Sequence, residues 1–123
     1  MDKPALLFYS GLAAAAYSVV AALAYYTYAG PQLITPSRAK RLVKEGAVVV
    51  DVRTALEFKA GHFPGAVHIP VTNIGKAALP KKMFSSPVVV YCNTGQRARY
   101  AAERLLERGV PDVYYIAGTY KSL

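Results

Sequence analysis

Two kinds of hydrophobic pattern divide the chain at about residue 31. Residues 5–29 are an almost unbroken run of Ala, Leu, Val, Phe and Tyr, and residues 4–37 contain no charged side chain. After this run, the apolar residues form short groups separated by charged and turn-forming residues. The pattern therefore predicts an N-terminal helical segment over residues 1–31 and one small domain over residues 32–123.

The apolar groups of the second segment have the length and composition of buried strands. They are rich in Val and Ile and lie at residues 47–50, 67–69, 88–91 and 113–116. Continuous apolar runs of this kind are typical of strands that are covered on both faces of a parallel sheet. We expect four strands in one mainly parallel central sheet.

Helix signals alternate with these strands. Thr35 followed by Pro36 predicts a short helix, and Thr54 with Glu57 forms a capping box that starts another. Residues 97–108 carry Ala and Leu on one side and charged residues on the other. Alternating strands and helices predict an α/β domain of three layers, with helices on both faces of the sheet.

The N-terminal run has the length of a membrane span. About 20 apolar residues cross the hydrocarbon core of a bilayer, and this run has 25. A cleaved secretory signal is the main alternative, since Ala22-Leu23-Ala24 provides a cleavage pattern, but the run is longer than the usual signal. A buried soluble helix is disfavoured because the remaining domain is too small to enclose it. We expect a single transmembrane anchor that binds the membrane through residues 5–29.

Flanking charge predicts the orientation of this anchor. Lys3 stands nearly alone before the run, whereas Arg38, Lys40, Arg41 and Lys44 follow it closely. Because positive flanks stay on the cytoplasmic side, the domain is expected to face the cytoplasm. Small residues spaced by four along the run also suggest weak homo-association in the membrane. These residues are Ser10, Ala14, Ser18 and Ala22.

Composition narrows the chemistry of the domain. The net charge of +8 lies within it, because 14 of the 15 Lys and Arg residues and six of the seven Asp and Glu residues follow residue 30. Such a surface attracts small anionic substrates, but its charges form no runs of the kind that bind nucleic acid. The single cysteine, Cys92, excludes an intramolecular disulfide and a multi-cysteine zinc site. We expect no metal or cofactor, and a thiol that stays reduced fits the cytoplasm.

The candidate chemical site is the loop between the strand at residues 88–91 and the following helix. Backbone N–H groups at the start of a helix have no helical partners and can point towards an anion at the loop's centre. The positive end of the helix and the Arg side chain at the loop's end would stabilise an anionic sulfur. The loop consists of Cys92, Asn93, Thr94, Gly95, Gln96 and Arg97.

These residues, with three other stretches, resemble the rhodanese family. The matching stretches are residues 50–53, 57–70, 92–97 and 113–118, in the family's order and spacing. The resemblance covers residues 33–120, and its most specific parts are the loop and the G-H-x-P-G-A stretch that begins at Gly61. It implies a rhodanese-like fold and a sulfurtransferase activity without a cofactor.

By this resemblance, Cys92 is the catalytic nucleophile. It would take a sulfur atom from a small anionic donor such as thiosulfate, hold it as a persulfide, and pass it to a thiol, a protein acceptor or cyanide. Residues 93–96 would supply N–H donors, and Arg97 would help to hold an anionic donor group.

Asp51 and Arg53 are expected to support the site. They follow the first strand, and open α/β sheets bind ligands beyond the carboxyl ends of their strands. Asp51 is predicted to accept hydrogen bonds from N–H groups of the loop, and Arg53 to pair with a carboxylate such as Glu57. The resemblance assigns His62 to a structural turn, so we do not expect a general base there.

Loop length separates sulfur chemistry from phosphate chemistry. Related phosphatases and arsenate reductases have a C-x5-R loop that surrounds a tetrahedral oxyanion, whereas Cys92 and Arg97 form a shorter C-x4-R loop. The shorter loop favours a sulfur atom as the group that is transferred.

Two alternatives to a small-molecule enzyme remain open. One is a membrane-tethered sulfur-relay or docking module that acts only with a protein partner, and the other is a scaffold without chemistry, which the intact loop disfavours.

Overall fold

Four short parallel strands form the centre of the domain. The structure is a computed structural model that describes residues 3–30 and 32–123, with side chains of the first helix described at residues 9–24. The strands are β1 (Val48–Asp51), β2 (Val67–His68), β3 (Val88–Tyr91) and β4 (Val113–Tyr115). They are ordered β2-β1-β3-β4, and each pair is parallel, as the apolar runs predicted.

Successive residues of the central strands point into two separate cores. On β1, Val48 and Val50 belong to one core and Val49 to the other. On β3, Val90 belongs to the first of these cores and Tyr91 to the second. Both faces of the sheet are therefore covered, which explains why these strands are continuously apolar.

Helices cover both faces, and the predicted three-layer α/β architecture is confirmed. Helix α4 (Gln96–Glu107) lies on one face and buries Leu105 together with three alanines. Helix α2 (Pro36–Lys44) lies on the other face and buries Ala39. Alanine side chains let α4 approach the sheet closely. The alanines are Ala98, Ala101 and Ala102.

The predicted helix caps are present. Thr35 accepts a hydrogen bond from the backbone of Arg38, and Pro36 occupies the first turn of α2. Helix α3 (Ala55–Ala60) begins with the capping box of Thr54 and Glu57. Single 3₁₀ turns at Val71–Asn73 and Lys81–Phe84 occupy the turn-rich stretch between β2 and β3, and a third lies at Tyr120–Ser122.

The first unit of the chain is one helix, α1 (Lys3–Ala29), and the boundary between the two units lies before Gln32. The helix ends before Gly30, as predicted, while Pro31 lies outside the described residues. Among the residues that the structure describes, no helix combines the length and apolar character needed to cross a membrane. The structure therefore does not support the transmembrane anchor predicted over residues 5–29. The orientation and homo-association predicted for that anchor stay predictions.

Truncating Leu105 tests whether α4 depends on its buried face. The side chain of Leu105 is fully buried in the core beneath α4, so Leu105→Ala should lower the free energy of unfolding by about 2–4 kcal/mol. Leu56 is 81% exposed, so Leu56→Ala should change the free energy of unfolding by less than about 0.5 kcal/mol. Urea denaturation of the two variants measures both values. Equal effects would contradict this account of the core.

Candidate active site

The two predicted site segments meet at one edge of the sheet. In the pairing of β1 with β3, Asp51 lies opposite Tyr91, so both strands end at the same level. Asp51 to Arg53 leave β1 at this edge, and Cys92 follows Tyr91 directly. The carboxyl edge is the place where open α/β sheets bind ligands.

The sulfur of Cys92 lies at the start of the loop and is almost fully enclosed. Cys92 is 1% exposed, and the backbone N–H of Gly95 donates to its Sγ at 3.1 Å. Helix α4 starts at Gln96, so the N–H groups of its first turn have no partner within the helix. The loop therefore offers N–H donors and the positive end of a twelve-residue helix to an anionic sulfur.

Gly95 is required at its position by backbone conformation and by space. Its φ is +100°, in the region that favours glycine. A Cβ atom added there would lie 2.9 Å from Cα of Ala117, in the segment after β4. Close packing of the Gly95 and Ala117 backbones fixes the turn in which the N–H of Gly95 donates to Sγ of Cys92.

Asp51 and Arg53 pair with each other, which corrects both predicted contacts. Arg53 donates from Nε and Nη2 to the carboxylate of Asp51, with a shortest distance of 2.8 Å. The backbone N–H of Arg53 also donates to Asp51, at 2.9 Å. Asp51 is thus occupied by Arg53 rather than by N–H groups of the loop, and Arg53 does not pair with Glu57. The reason is geometric: the turn after β1 folds the guanidinium back over the strand end.

Tyr91 completes this buried cluster, although the sequence pattern marks it only as a strand residue. Its hydroxyl donates to Oδ2 of Asp51 at 2.5 Å and accepts from the backbone N–H of Phe63 at 3.1 Å. Burial and the bond to Asp51 raise the pKa of Tyr91 to about 12. Burial alone would raise the pKa of Asp51, but bonds from Arg53 and Tyr91 outweigh it and hold that pKa below its usual value.

Arg97 is bound to Glu57 by two parallel hydrogen bonds. Nη1 of Arg97 lies 2.7 Å from Oε1, and Nη2 lies 3.0 Å from Oε2. Asn93 donates from Nδ2 to the same Oε2 at 2.7 Å. The first and last side chains after Cys92 in the loop therefore converge on one carboxylate of α3.

Glu57 is a second site residue, besides Tyr91, whose role the sequence pattern does not reveal. It was identified only as part of a capping box and as a partner for Arg53. Its Oε1 accepts from the backbone N–H and the hydroxyl of Thr54, at 3.1 and 3.0 Å. Hydrogen bonds from Arg97 and then from Thr54 hold the pKa of Glu57 far below its usual value, so the carboxylate is charged at neutral pH. The sequence feature that could have indicated this role is the position of Glu57, an acid at the third position of α3.

The remaining loop side chains face outwards. Thr94 and Gln96 are exposed, and Gln96 and Arg97 border a shallow depression with Val71, Thr72 and Tyr100. The last two residues of the loop thus lie at the edge of this depression.

The two histidines lie in a structural stack. Phe58 stacks on the ring of His62 on one side and on that of His68 on the other, with centroids 3.7 and 4.3 Å apart. Nδ1 of His62 lies 2.8 Å from the carbonyl oxygen of Phe58, and Nε2 of His68 lies 2.8 Å from that of Arg53. Each histidine thus has a backbone partner of its own.

Replacing Tyr91 by Phe should remove support from the buried carboxylate of Asp51. We expect Tyr91→Phe to lower the free energy of unfolding by about 1–3 kcal/mol at pH 8. The folded-state pKa of Tyr91 lies above the ordinary value, so its contribution is fully present below about pH 10 and declines towards pH 12. Urea denaturation at pH 8 and pH 11.5, with Tyr100→Phe as the exposed control, measures this. An equal cost at both pH values would contradict the pKa shift that this hydrogen bond to Asp51 is expected to cause.

Adding a side chain at Gly95 should disturb the loop. Gly95→Ala introduces strain at positive φ and a close contact with Ala117, and should cost about 1–3 kcal/mol of unfolding free energy. Gly75 has open space around its Cβ position, so Gly75→Ala is the matched control and should stay within about 1 kcal/mol of the parent protein. Thermal or urea unfolding distinguishes them. A tolerated Gly95→Ala would show that the loop can shift.

Comparison with known proteins agrees with this architecture. The family described as rhodanese-like domain matches residues 35–123. The chain is 36% identical over 88 residues to thiosulfate sulfurtransferase GlpE of Pseudomonas savastanoi pv. phaseolicola, covering 72% of this chain and 82% of that protein. It is 37% identical over 89 residues to GlpE of Pseudomonas putida strain GB-1, covering 72% and 80%.

Solved structures show the same fold. The human single-domain sulfurtransferase TSTD1 superposes with a TM-score of 0.64 and 26% identity, covering 76% of this chain and 95% of that one. A rhodanese homolog from the extremely thermophilic bacterium Thermus thermophilus superposes with a TM-score of 0.58 and 27% identity, covering 73% and 98%. The chain belongs to the rhodanese-like domain family and is a rhodanese-type enzyme.

Proposed function

We propose that this protein is a sulfurtransferase that carries sulfur as a persulfide on Cys92. The observation that carries the proposal is the position of this single thiol, enclosed between a buried strand and a helix start, with the N–H of Gly95 on its sulfur. The relatives named thiosulfate sulfurtransferase support thiosulfate as one donor.

The reaction has two displacement steps. In the first, the Cys92 thiolate attacks the outer sulfur of thiosulfate, a new S–S bond forms, the donor's S–S bond breaks, and sulfite leaves. In the second, a thiol or cyanide attacks the outer sulfur of the persulfide, the Cys92 thiolate leaves, and the acceptor departs as a persulfide or as thiocyanate. Sulfur is transferred in both steps without an external oxidant or reductant.

The surroundings of Cys92 suit an anionic sulfur. Negative charge on the thiolate and on the persulfide is opposed by the N-terminus of α4 and by N–H groups of residues 93–96. We propose that the other loop amides act together with Gly95 in this role. The short loop between Cys92 and Arg97 leaves room for a sulfur atom rather than for a tetrahedral oxyanion.

Asp51 and Arg53 act as positioning residues in this proposal. Their pair, with Tyr91, ties the end of β1 to the end of β3 immediately before Cys92. A shift of the strand end would move the thiolate relative to the helix start, and reaction rates are sensitive to such shifts.

We also propose that the domain works in a reducing compartment such as the cytoplasm. A lone thiol has no intramolecular partner that would protect it from oxidation, and its chemistry needs the thiolate. The physiological acceptor in such a compartment would be a thiol, either small or on a protein.

Intact-mass measurement tests the persulfide. The full chain is incubated with thiosulfate, and we expect a gain of one sulfur atom that is lost on adding cyanide, with release of thiocyanate. Since the chain has one cysteine, Cys92→Ser should abolish both the gain and the turnover. A parent protein that gains no sulfur from thiosulfate or from a small persulfide would refute the small-molecule reaction. Loading only from a persulfidated protein would identify a relay that depends on a partner.

A further inference from the structure

The loop around Cys92 displays little free positive charge. Arg97 is its only cationic residue, and both Nη atoms are bonded to Glu57. The amide of Asn93 donates to the same carboxylate. Two loop groups that could bind an anionic donor are therefore already bound to a carboxylate of the protein.

The neighbouring arginine is engaged in the same manner. Arg53 forms several bonds to Asp51, and its Nη2 also donates to the carbonyl oxygen of Gly61 at 2.6 Å. Its side chain is nearly fully buried. Both guanidinium groups near the ends of β1 and β3 thus belong to neutral pairs.

The two ion pairs differ in how far their side chains are exposed to solvent. The Asp51 and Arg53 side chains are 0% and 7% exposed, whereas those of Glu57 and Arg97 are 29% and 34% exposed. The Glu57 pair is therefore the one that substrates can reach. Its Arg97 borders the depression that Gln96 and Tyr100 also line.

We propose that Glu57 is a specificity-determining residue that makes the site favour persulfides, R–S–SH, which carry at most one negative charge and no sulfonate group, over dianionic thiosulfate. This inference rests on the proposed function. Thiosulfate brings two negative charges to a site whose loop cation is held by a carboxylate, so it must either separate Arg97 from Glu57 or bind without a free cation beside it. Either course costs free energy, since a bidentate arginine pair combines charge with good geometry.

A persulfide avoids this cost, because the form that reacts, R–S–SH, has no charge on the attacked sulfur and the molecule has no sulfonate group. The Cys92 thiolate attacks its outer sulfur, the S–S bond to R–S breaks, and the thiolate RS⁻ leaves and takes a proton from water, while Cys92 becomes the persulfide. The step needs N–H donors for the developing thiolate, which the start of α4 supplies. It does not need a free cation for a sulfonate group.

Substitution of Glu57 by Gln tests the assignment. A glutamine keeps the size of the side chain and an oxygen that can accept from Thr54, since Gln also serves in capping boxes. It removes the charge that holds Arg97. Glu107→Gln is the matched control, because Glu107 pairs with Arg104 at the opposite end of α4 and its loss changes net charge equally. kcat/KM is measured on the full chain with thiosulfate and with an alkyl persulfide whose alkyl group carries no charge, cyanide being the acceptor.

We expect Glu57→Gln to raise kcat/KM for thiosulfate about tenfold, and to raise the ratio of kcat/KM for thiosulfate to that for the alkyl persulfide by a similar factor. Added salt should weaken thiosulfate turnover more steeply in Glu57→Gln than in the parent, because a freed Arg97 attracts the dianion. Glu107→Gln should match the parent with both donors. Retained persulfide turnover also shows that the variant is folded.

The parent protein provides a test that does not depend on the variant. Its kcat/KM for the alkyl persulfide should exceed that for thiosulfate by about tenfold or more. An equal or reversed preference, or a Glu57→Gln variant with unchanged or lower thiosulfate turnover, would overturn the inference while leaving the Cys92 persulfide intact. Failure of both donors to load Cys92 would instead overturn the proposed function.

Discussion

The buried carboxylate of Asp51 is the interaction on which the site depends. A charge in this position is costly unless it is paired and hydrogen-bonded, and here Arg53 and Tyr91 satisfy it from two different strand ends. The same two partners extend the network, because Arg53 donates to the carbonyl of Gly61 and Tyr91 accepts from the N–H of Phe63. One carboxylate thus fixes β1, β3 and the turn between α3 and β2 before the chain reaches Cys92.

A second carboxylate joins the outer parts of the site. Glu57 caps α3 through Thr54 and holds the loop through Asn93 and Arg97, so the start of α3 and the end of the loop have one anchor. This arrangement keeps the loop in place before a donor binds. Its cost is that the loop cation is already neutralised when a donor arrives, so rigidity and attraction of anions are in competition.

The sequence predicted what depends on local pattern. Continuous apolar runs predicted the strands, Thr35 and Thr54 predicted the helix starts, and the position of Cys92 between β3 and α4 predicted the centre of the site.

The pairing of charged side chains was not predictable in the same way. Arg53 is four residues from Glu57 and two from Asp51, and only the turn after β1 decides that it pairs with Asp51. Arg97 and Glu57 are forty residues apart, so their pair follows from the order of strands rather than from spacing.

Tyr91 was predicted only as a strand residue, because nothing in an apolar run shows which hydroxyl will reach a buried acid.

Burial of Cys92 places a further condition on the substrates. The sulfur is almost inaccessible, so a donor must present a slim terminal sulfur with no bulky group on the atom that is attacked. Thiosulfate and persulfides both meet this condition, since each ends in a single sulfur atom. In the proposed persulfide, the outer sulfur would lie about 2 Å from Sγ, the length of an S–S bond, so the reactive atom would stand farther from the buried Sγ. Acceptors therefore need less access than donors, and size cannot separate the two donor classes. What differs between them at the loop is charge, and the charge that a donor meets there is set by Glu57.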